Sequence, residues 1–136
     1  MVNTKCRGGQ GILYLWAPVV LYAGLIFYLS SLTPTQPLPL SFSGSDKVIH
    51  FFEYLGLAFL MIRALHAEKR LSFRARYLAV FFLAAAYGAS DEFHQYFVPG
   101  RECSGFDLLA DVAGAAAGVL VFERVIRLLR IPTVPE

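Results

Sequence analysis

Four apolar segments, each about as long as a membrane-crossing helix, constrain the fold of this chain more than any other feature. They cover about residues 11–32, 46–65, 77–97 and 106–126. A helix needs about 20 apolar residues to cross roughly 30 Å of hydrocarbon. Only 16% of the residues are charged, whereas soluble domains carry about 25%. The sequence therefore predicts an all-α fold: an integral membrane bundle of four transmembrane helices in a single domain, residues 1–136.

A cleaved signal peptide is the alternative interpretation of the first segment. Lys5 and Arg7 precede it, as in the basic start of such peptides. However, its apolar stretch is longer than the roughly 7–15 residues of a signal peptide, and no clear small-residue cleavage site follows it. An uncleaved membrane anchor is therefore the favoured interpretation.

The basic residues fall on alternate sides of the four segments. Cytoplasmic loops of membrane proteins carry an excess of Lys and Arg. One predicted side receives Lys5, Arg7, Arg63, Lys69, Arg70, Arg74, Arg76, Arg124, Arg127 and Arg130. The other side receives Lys47 and Arg101 alone. Both termini are therefore predicted to be cytoplasmic.

The acidic residues show the opposite distribution. Most of them fall in the predicted outer half: Asp46, Glu53, Asp91, Glu92, Glu102, Asp107 and Asp111. With a rise of ~1.5 Å per residue, three different helices place Glu53, Asp91 and Asp111 about 7–10 Å below the outer surface. A charged side chain that faces lipid costs about 2.5–3.5 kcal/mol near the bilayer centre. These side chains are therefore predicted to face one another in a polar pocket that opens to the outside.

The spacing within each helix supports such a pocket. Residues three or four positions apart lie on one helix face. The groups with this spacing are Asp46, His50 and Glu53, then Asp91, His94 and Gln95, and finally Asp107 with Asp111. Close packing of the helices is predicted from the small residues Ala110, Gly114 and Gly118 and from "LAAAYGA" in the third segment.

Several polar residues also have a purely structural interpretation. Asp46 suits a helix start, and "SGFD" allows Ser104 and Asp107 to form a capping box. Arg101 either pairs with Asp91 or Asp107 and fixes its turn, or binds a phosphate or carboxylate of a ligand. The deeper acids and the histidines form either a structural network or a functional site, and ionisable residues inside a membrane favour the second.

Three stretches resemble the VanZ-like family of membrane proteins: "IFYLSSLTP", "DKVIHFFEYLGLAFL" and "SDEFHQYFVPGRECSGFDLLADVAGAAAG". The family pattern is an Asp-Lys-x-x-His-Phe entry to one helix, Asp-Glu-x-x-Gln near the end of the next, a Pro-Gly-Arg turn and an Asp-x-x-x-Asp/Asn helix. Its signature residues are here Asp46, Lys47, His50, Asp91, Glu92, Gln95, Pro99, Gly100, Arg101, Asp107, Asp111 and Gly114. Asp111 occupies a position that is often Asn in the family, which adds a negative charge.

The resemblance implies a small multi-pass protein of the bacterial inner (cytoplasmic) membrane. The founding member of the family is associated with low-level resistance to the glycopeptide teicoplanin, and relatives occur in cell-envelope and exopolysaccharide contexts. The expected partners are membrane lipids, and beyond them lipid-linked cell-wall or polysaccharide intermediates or a glycopeptide. Four short helices also leave homo-oligomerisation open. Nucleic-acid binding is not expected, since the sequence has no basic stripe interleaved with aromatic residues.

Three functions are consistent with these residues. The first is a binding module for a lipid head group or an amphiphilic glycopeptide, with binding residues Asp46, Lys47, Gln95, Arg101 and Asp107. The second is a membrane-embedded hydrolase or transferase that acts on an envelope lipid, because carboxylates and imidazoles carry general acid–base chemistry. Its catalytic candidates are His50, Glu53, Asp91, Glu92, His94 and Asp111. The third is a proton-coupled lipid transporter that uses the buried acids.

No cofactor motif is evident, and the sequence does not assign a metal site. The excess of acids in the outer half would repel a phosphate unless protons or a divalent cation intervene. Oxygen and imidazole ligands for such a cation are available at His50, Glu53, Asp91, His94 and Asp111. No HExxH or similar dedicated metal motif accompanies them.

Overall fold

The computed structural model describes residues 9–33, 44–66, 71–101 and 103–129. Within those ranges the chain is helical and contains no strand. The helices are α1, Gly9–Ser30, α2, Ser45–His66, α3, Phe73–Gln95, and α4, Gly105–Leu128. The predicted all-α fold of four helices is confirmed, and each predicted helix end lies within four residues of the observed one.

Part of the charge pattern that predicts the orientation falls outside these ranges. The basic residues Lys5, Arg7, Lys69, Arg70 and Arg130 lie outside them, as does Glu102 of the separate acidic pattern. The described basic residues of the predicted cytoplasmic side lie where α2 ends, α3 begins and α4 ends. Examples are Arg63, Arg76 and Arg127.

Three of the helices are long and apolar enough to cross a membrane. The candidate spans are Gly11–Ser30, Ser45–His66 and Gly105–Leu128. The remaining helix, α3, is as long as the others but has Arg74 and Arg76 near its start and Asp91 and Glu92 near its end. These charges reduce the length of its purely apolar part. The apolar helices define a multi-pass membrane protein, and α3 packs among them.

Serine side chains begin both α3 and α4. Ser72 accepts a hydrogen bond from the Ala75 N–H group, and Ser104 accepts one from Phe106 N–H, each at 3.3 Å. Such caps satisfy N–H groups that have no partner within the helix. The connection between the two helices passes through Gly100, whose φ of 81° is a left-handed conformation that suits glycine. The chain therefore turns sharply and places the end of α3 beside the start of α4.

Helices α2 and α4 pack with their backbones in contact. A Cβ atom on Gly114 would lie 2.1 Å from the Phe51 carbonyl oxygen, and one on Gly118 would lie 2.2 Å from the Leu55 carbonyl oxygen. Small residues allow membrane helices to approach this closely. The glycines thus do serve close packing, but their partner is the backbone of α2 and not the small residues of α3.

Helix α1 is attached differently. It buries few of its side chains, and most of its apolar residues are exposed on the surface of the bundle. Polar side chains of its neighbours bind its backbone: the Tyr87 hydroxyl on α3 donates to the Ala23 carbonyl oxygen (2.6 Å). Likewise, the Arg63 guanidinium on α2 donates to the Leu15 carbonyl oxygen (3.3 Å). The outward apolar face of α1 is the surface expected for contact with lipid.

Candidate functional site

Polar side chains of α2, α3 and α4 meet where α1 and α3 end and α2 and α4 begin, which we call the polar end. At its centre, the His50 ring N–H (Nδ1) donates a hydrogen bond of 2.9 Å to Asp111 Oδ1, and both side chains are buried. His50 directly precedes Phe51, whose carbonyl oxygen lies against Gly114, one helical turn after Asp111. The close contact between α2 and α4 therefore sets the separation of this histidine and this carboxylate.

Glu92 connects the cluster to the start of α4. Its Oε2 accepts a hydrogen bond of 2.8 Å from the Ser104 N–H group, while its Oε1 lies 3.9 Å from His50 Nδ1. In a capping box, the Ser104 N–H group would bond to the acid three residues later, Asp107. The structure assigns that place to Glu92 of α3 and leaves the Asp107 side chain free to face α2.

Lys47 lies at the surface of the cluster between two acids. Its Nζ is 2.9 Å from Asp46 Oδ2 and 3.1 Å from Asp107 Oδ1. The Lys47 and Asp46 side chains are 40% and 54% exposed, whereas the Asp107 side chain is 7% exposed. Lys47 thus links the first turns of α2 and α4, and Asp46 remains near solvent.

Helix α3 approaches Asp111 at a glycine. A Cβ atom on Gly88 would lie 2.9 Å from Asp111 Oδ2 and 3.3 Å from the Tyr54 ring. One turn further along α3, Asp91 is buried and accepts a hydrogen bond of 3.3 Å from Gln95 Nε2. The sequence indicates Gly88 only as a small packing residue, because its contact with Asp111 exists only in the folded bundle.

Several carboxylate oxygens of the cluster are buried and have no hydrogen-bond partner among the described residues: Asp91 Oδ1, Glu92 Oε1, Asp107 Oδ1 and Asp111 Oδ2. Asp107 Oδ1 is close enough to Lys47 for an ion pair at 3.1 Å, but it is not aligned for a hydrogen bond. Buried polar atoms in native proteins are usually paired. Unpaired carboxylate oxygens can accept a hydroxyl or N–H group or bind a cation, so the cluster has binding capacity beyond its internal contacts.

Two of the predicted site residues, His94 and Glu53, make no hydrogen bond to this cluster among the described residues. His94 faces α1, where its ring stacks on Phe27 with centroids 4.5 Å apart and its Nε2 lies 3.0 Å from Ser31 Oγ. Because the Ser31 hydroxyl already donates to the Phe27 carbonyl oxygen (2.7 Å), His94 Nε2 is the donor. Glu53 is half-buried and makes no hydrogen bond within the described residues.

Arg101 does not form the ion pair with Asp91 or Asp107 that is one of its two predicted roles. Its guanidinium donates hydrogen bonds to the carbonyl oxygens of Leu29 (2.9 Å) and Leu32 (3.3 Å) at the end of α1. Neither Asp91 nor Asp107 is its partner within the described part of the chain. Carbonyl groups at the end of a helix lack intrahelical partners, and a cation is favourable there. Arg101 therefore attaches the turn after α3 to the end of α1.

Three side chains of the cluster lie close enough together to hold a metal ion. One ring nitrogen of His50 and one carboxylate oxygen each of Glu92 and Asp107 lie within 4.8 Å of one another, and all three residues are buried. Of the cation ligands considered from the sequence, only His50 belongs to this group. Glu92 and Asp107 occupy adjacent helices, so sequence spacing could not reveal that they come together.

The fold and the site define a multi-pass helical membrane protein with a buried acid–histidine cluster at one end of its bundle. Residues 14–128 match the VanZ/LLP1 family. The match covers most of the chain, which therefore belongs to this family, and the resemblance noted in the sequence is confirmed. No curated protein and no solved structure matches the chain.

Proposed function

We propose that the chain crosses the bacterial cytoplasmic membrane four times, with both termini in the cytoplasm and the polar end in the outer leaflet. The 23 residues of α3 extend about 35 Å at ~1.5 Å per residue, which is long enough to complete a fourth span. The described basic residues at the opposite end favour a cytoplasmic position for that end. Insertion of reporter tags in the connections would test this orientation.

We propose further that the polar end binds the head group of an envelope lipid or of a lipid-linked intermediate. The observation that carries this proposal is a gradient of exposure across α2 and α4. Side-chain exposure falls from 40% at Lys47 to 7% at Asp107 and to 0% at Asp111. A head group in the outer leaflet would meet Lys47 first and the buried His50–Asp111 pair last, while its acyl chains remain in the bilayer.

The charge of the cluster restricts which head groups suit it. The buried carboxylates of the cluster outnumber Lys47, the lysine that the described residues place beside them; these acids are Asp91, Glu92, Asp107 and Asp111. Amino and hydroxyl groups can donate hydrogen bonds to the unpaired carboxylate oxygens, whereas a phosphate is attracted only at Lys47 or through a bound cation. Head groups with amines or sugar hydroxyls are therefore the proposed class, and the amphiphilic glycopeptide teicoplanin belongs to it. Sequestering such molecules is how the chain would contribute to glycopeptide tolerance.

A binding titration of the full chain in nanodiscs tests this proposal. The probes are phosphatidylethanolamine, phosphatidylglycerol, a lipid-linked cell-wall precursor and teicoplanin, each titrated against the wild-type protein and Asp107→Asn. We expect at least one amine- or sugar-bearing probe to bind, and Asp107→Asn to weaken its binding about tenfold. Glu123→Gln is the matched control because Glu123 pairs with Arg127 at the opposite end of α4. Equal affinity of wild type and Asp107→Asn for every probe would contradict the proposal.

The second candidate function is a hydrolase or transferase that acts on an envelope lipid. A carboxylate that orients a histidine is the arrangement used for general base catalysis, and the His50–Asp111 hydrogen bond of 2.9 Å has this form. Turnover of a lipid-linked precursor by the wild-type protein, lost in His50→Gln and retained in Glu123→Gln, would support catalysis. Binding without turnover would leave the chain a binding protein.

A further inference from the structure

The polar end contains a mixed nitrogen and oxygen ligand set in which every member is buried. His50, Glu92 and Asp107 come from three different helices and are 5%, 4% and 5% exposed. Their nearest ligand atoms all lie within 4.8 Å of one another. Opposite ligands of a cation with metal–oxygen distances of about 2.1–2.4 Å are separated by about 4.2–4.8 Å. The three atoms can therefore surround one ion after small side-chain movements.

An unpaired atom points into this group. Glu92 Oε1 is buried and has no hydrogen-bond partner within the described part of the chain. The other oxygen of the same carboxylate is held by the Ser104 N–H group. Glu92 is thus fixed through Oε2 while Oε1 remains available, which is how a protein preorganises a ligand atom.

Neighbouring residues hold the ligand side chains in place, as the residues around a metal site do. Asp111 accepts a hydrogen bond of 2.9 Å from His50 Nδ1–H, so Nε2 is the ring nitrogen that can bind a cation, and carboxylates commonly orient metal-binding histidines through the other nitrogen in this way. Lys47 pairs with Asp107 at 3.1 Å and with the exposed Asp46 at 2.9 Å. The second pairing gives Lys47 an alternative partner when a cation takes its place beside Asp107.

We propose that His50, Glu92 and Asp107 bind a divalent cation of the first transition row at the polar end. Imidazole together with carboxylate suits ions such as Mn²⁺ and Zn²⁺ better than Ca²⁺, which prefers oxygen ligands alone. A divalent ion would also balance buried carboxylates that Lys47 alone cannot neutralise. The inference depends on the arrangement of these ligands and holds whichever lipid, if any, the polar end binds.

Mn²⁺ binding to the purified full chain, without added lipid ligand, tests this site. After treatment with a chelator, the protein is titrated with Mn²⁺ and the free ion is followed by electron paramagnetic resonance. We expect about one tight site per chain in the wild type and at least tenfold weaker binding in Glu92→Gln. Gln at this position can still accept the Ser104 hydrogen bond, so the cap of α4 is preserved. Glu123→Gln, an identical change at the opposite end of the bundle, should bind like the wild type.

A second variant separates a metal site from a loss of structure. Lys47→Gln removes the positive charge beside Asp107 and should bind Mn²⁺ as tightly as the wild type or more tightly, with a larger rise of Tm on metal addition. Weaker binding by folded Lys47→Gln, or equal binding by wild type and Glu92→Gln, would overturn the proposal. Because no lipid probe is involved, failure here leaves head-group binding untouched, and failure of the head-group titration leaves the metal site untouched.

Discussion

Helices α4 and α1 are both packed against other helices of the bundle, but the two sets of contacts differ in kind. Along α4, Gly114 and Gly118 bring the helix against the backbone carbonyl groups of α2, so the two helices touch without intervening side chains. By contrast, the long side chains of Tyr87 and Arg101 reach across to α1 and donate hydrogen bonds to its carbonyl oxygens. The first interface is made by backbone contact, whereas the second is made by side chains, through hydrogen bonds and through buried apolar residues such as Val19 and Ile26.

This difference corresponds to what each interface must position. The His50–Asp111 pair joins α2 and α4, so a fixed separation of these helices fixes the distance between the two side chains. Helix α1 supplies no described residue to the acid–histidine cluster, and it contacts the polar end through His94 and Arg101. The backbone contact between α2 and α4 thus fixes the frame of the cluster. The side-chain contacts attach α1 to that frame separately.

The largest expected effect is that of Gly114→Ala. The new Cβ atom would lie 2.1 Å from the Phe51 carbonyl oxygen, so α2 and α4 must separate, which costs about 1–3 kcal/mol or more. Unfolding in mixed micelles measures the loss. Gly24→Ala is the matched control, because a Cβ atom there meets nothing within 4 Å. If the two substitutions prove equally mild, backbone contact does not define the α2–α4 interface.

A smaller effect is expected for Arg101→Gln, which removes the cation and its hydrogen bonds to Leu29 and Leu32 at the end of α1. The loss should be about 1–2 kcal/mol, because hydrogen bonds from a charged donor are stronger than average but this site is partly exposed. Unfolding and protease accessibility of α1 measure it, and the exposed Arg124→Gln serves as the control. Unchanged protection of α1 would show that the guanidinium does not hold this helix.

The smallest effect is expected for Tyr87→Phe, which deletes only the hydroxyl that donates to the Ala23 carbonyl oxygen. Hydrogen bonds between membrane helices contribute about 0.6 kcal/mol on average. Tyr96→Phe provides the control, since Tyr96 is exposed beyond the end of α3. A loss from Tyr87→Phe that exceeds that from Gly114→Ala would reverse the contrast between the two interfaces.

The helices and the meeting of three polar faces could be predicted because each is a property of local sequence. Apolar length identifies a membrane helix, and a polar group at helical spacing within it needs partners on another helix. The contacts of the α4 glycines were harder to assign. A small-residue pattern indicates that a helix packs closely, but it does not say against which neighbour.

The facing of His94 shows why spacing alone was insufficient. At about 100° per residue, Asp91 and Gln95 are about 40° apart around α3, whereas His94 and Gln95 are about 100° apart. That arc is wide enough for Asp91 and Gln95 to face the cluster while His94 faces α1. Glu92 and Arg101 bind backbone groups at the start of α4 and the end of α1. Every residue has such backbone groups, so the amino-acid sequence does not show which of them a side chain will bind.

The divided role of Glu92 makes the turn after α3 a natural reporter. One of its oxygens holds the Ser104 N–H group, and the other faces His50. A cation or ligand group that binds the second oxygen would also shift the first and with it the Ser104 N–H group. Binding in the buried cluster would therefore change the environment of the neighbouring exposed residue, Cys103. The fluorescence intensity of a label attached to that thiol would then change as the cluster binds its ligand, so binding at a buried site could be followed from the surface.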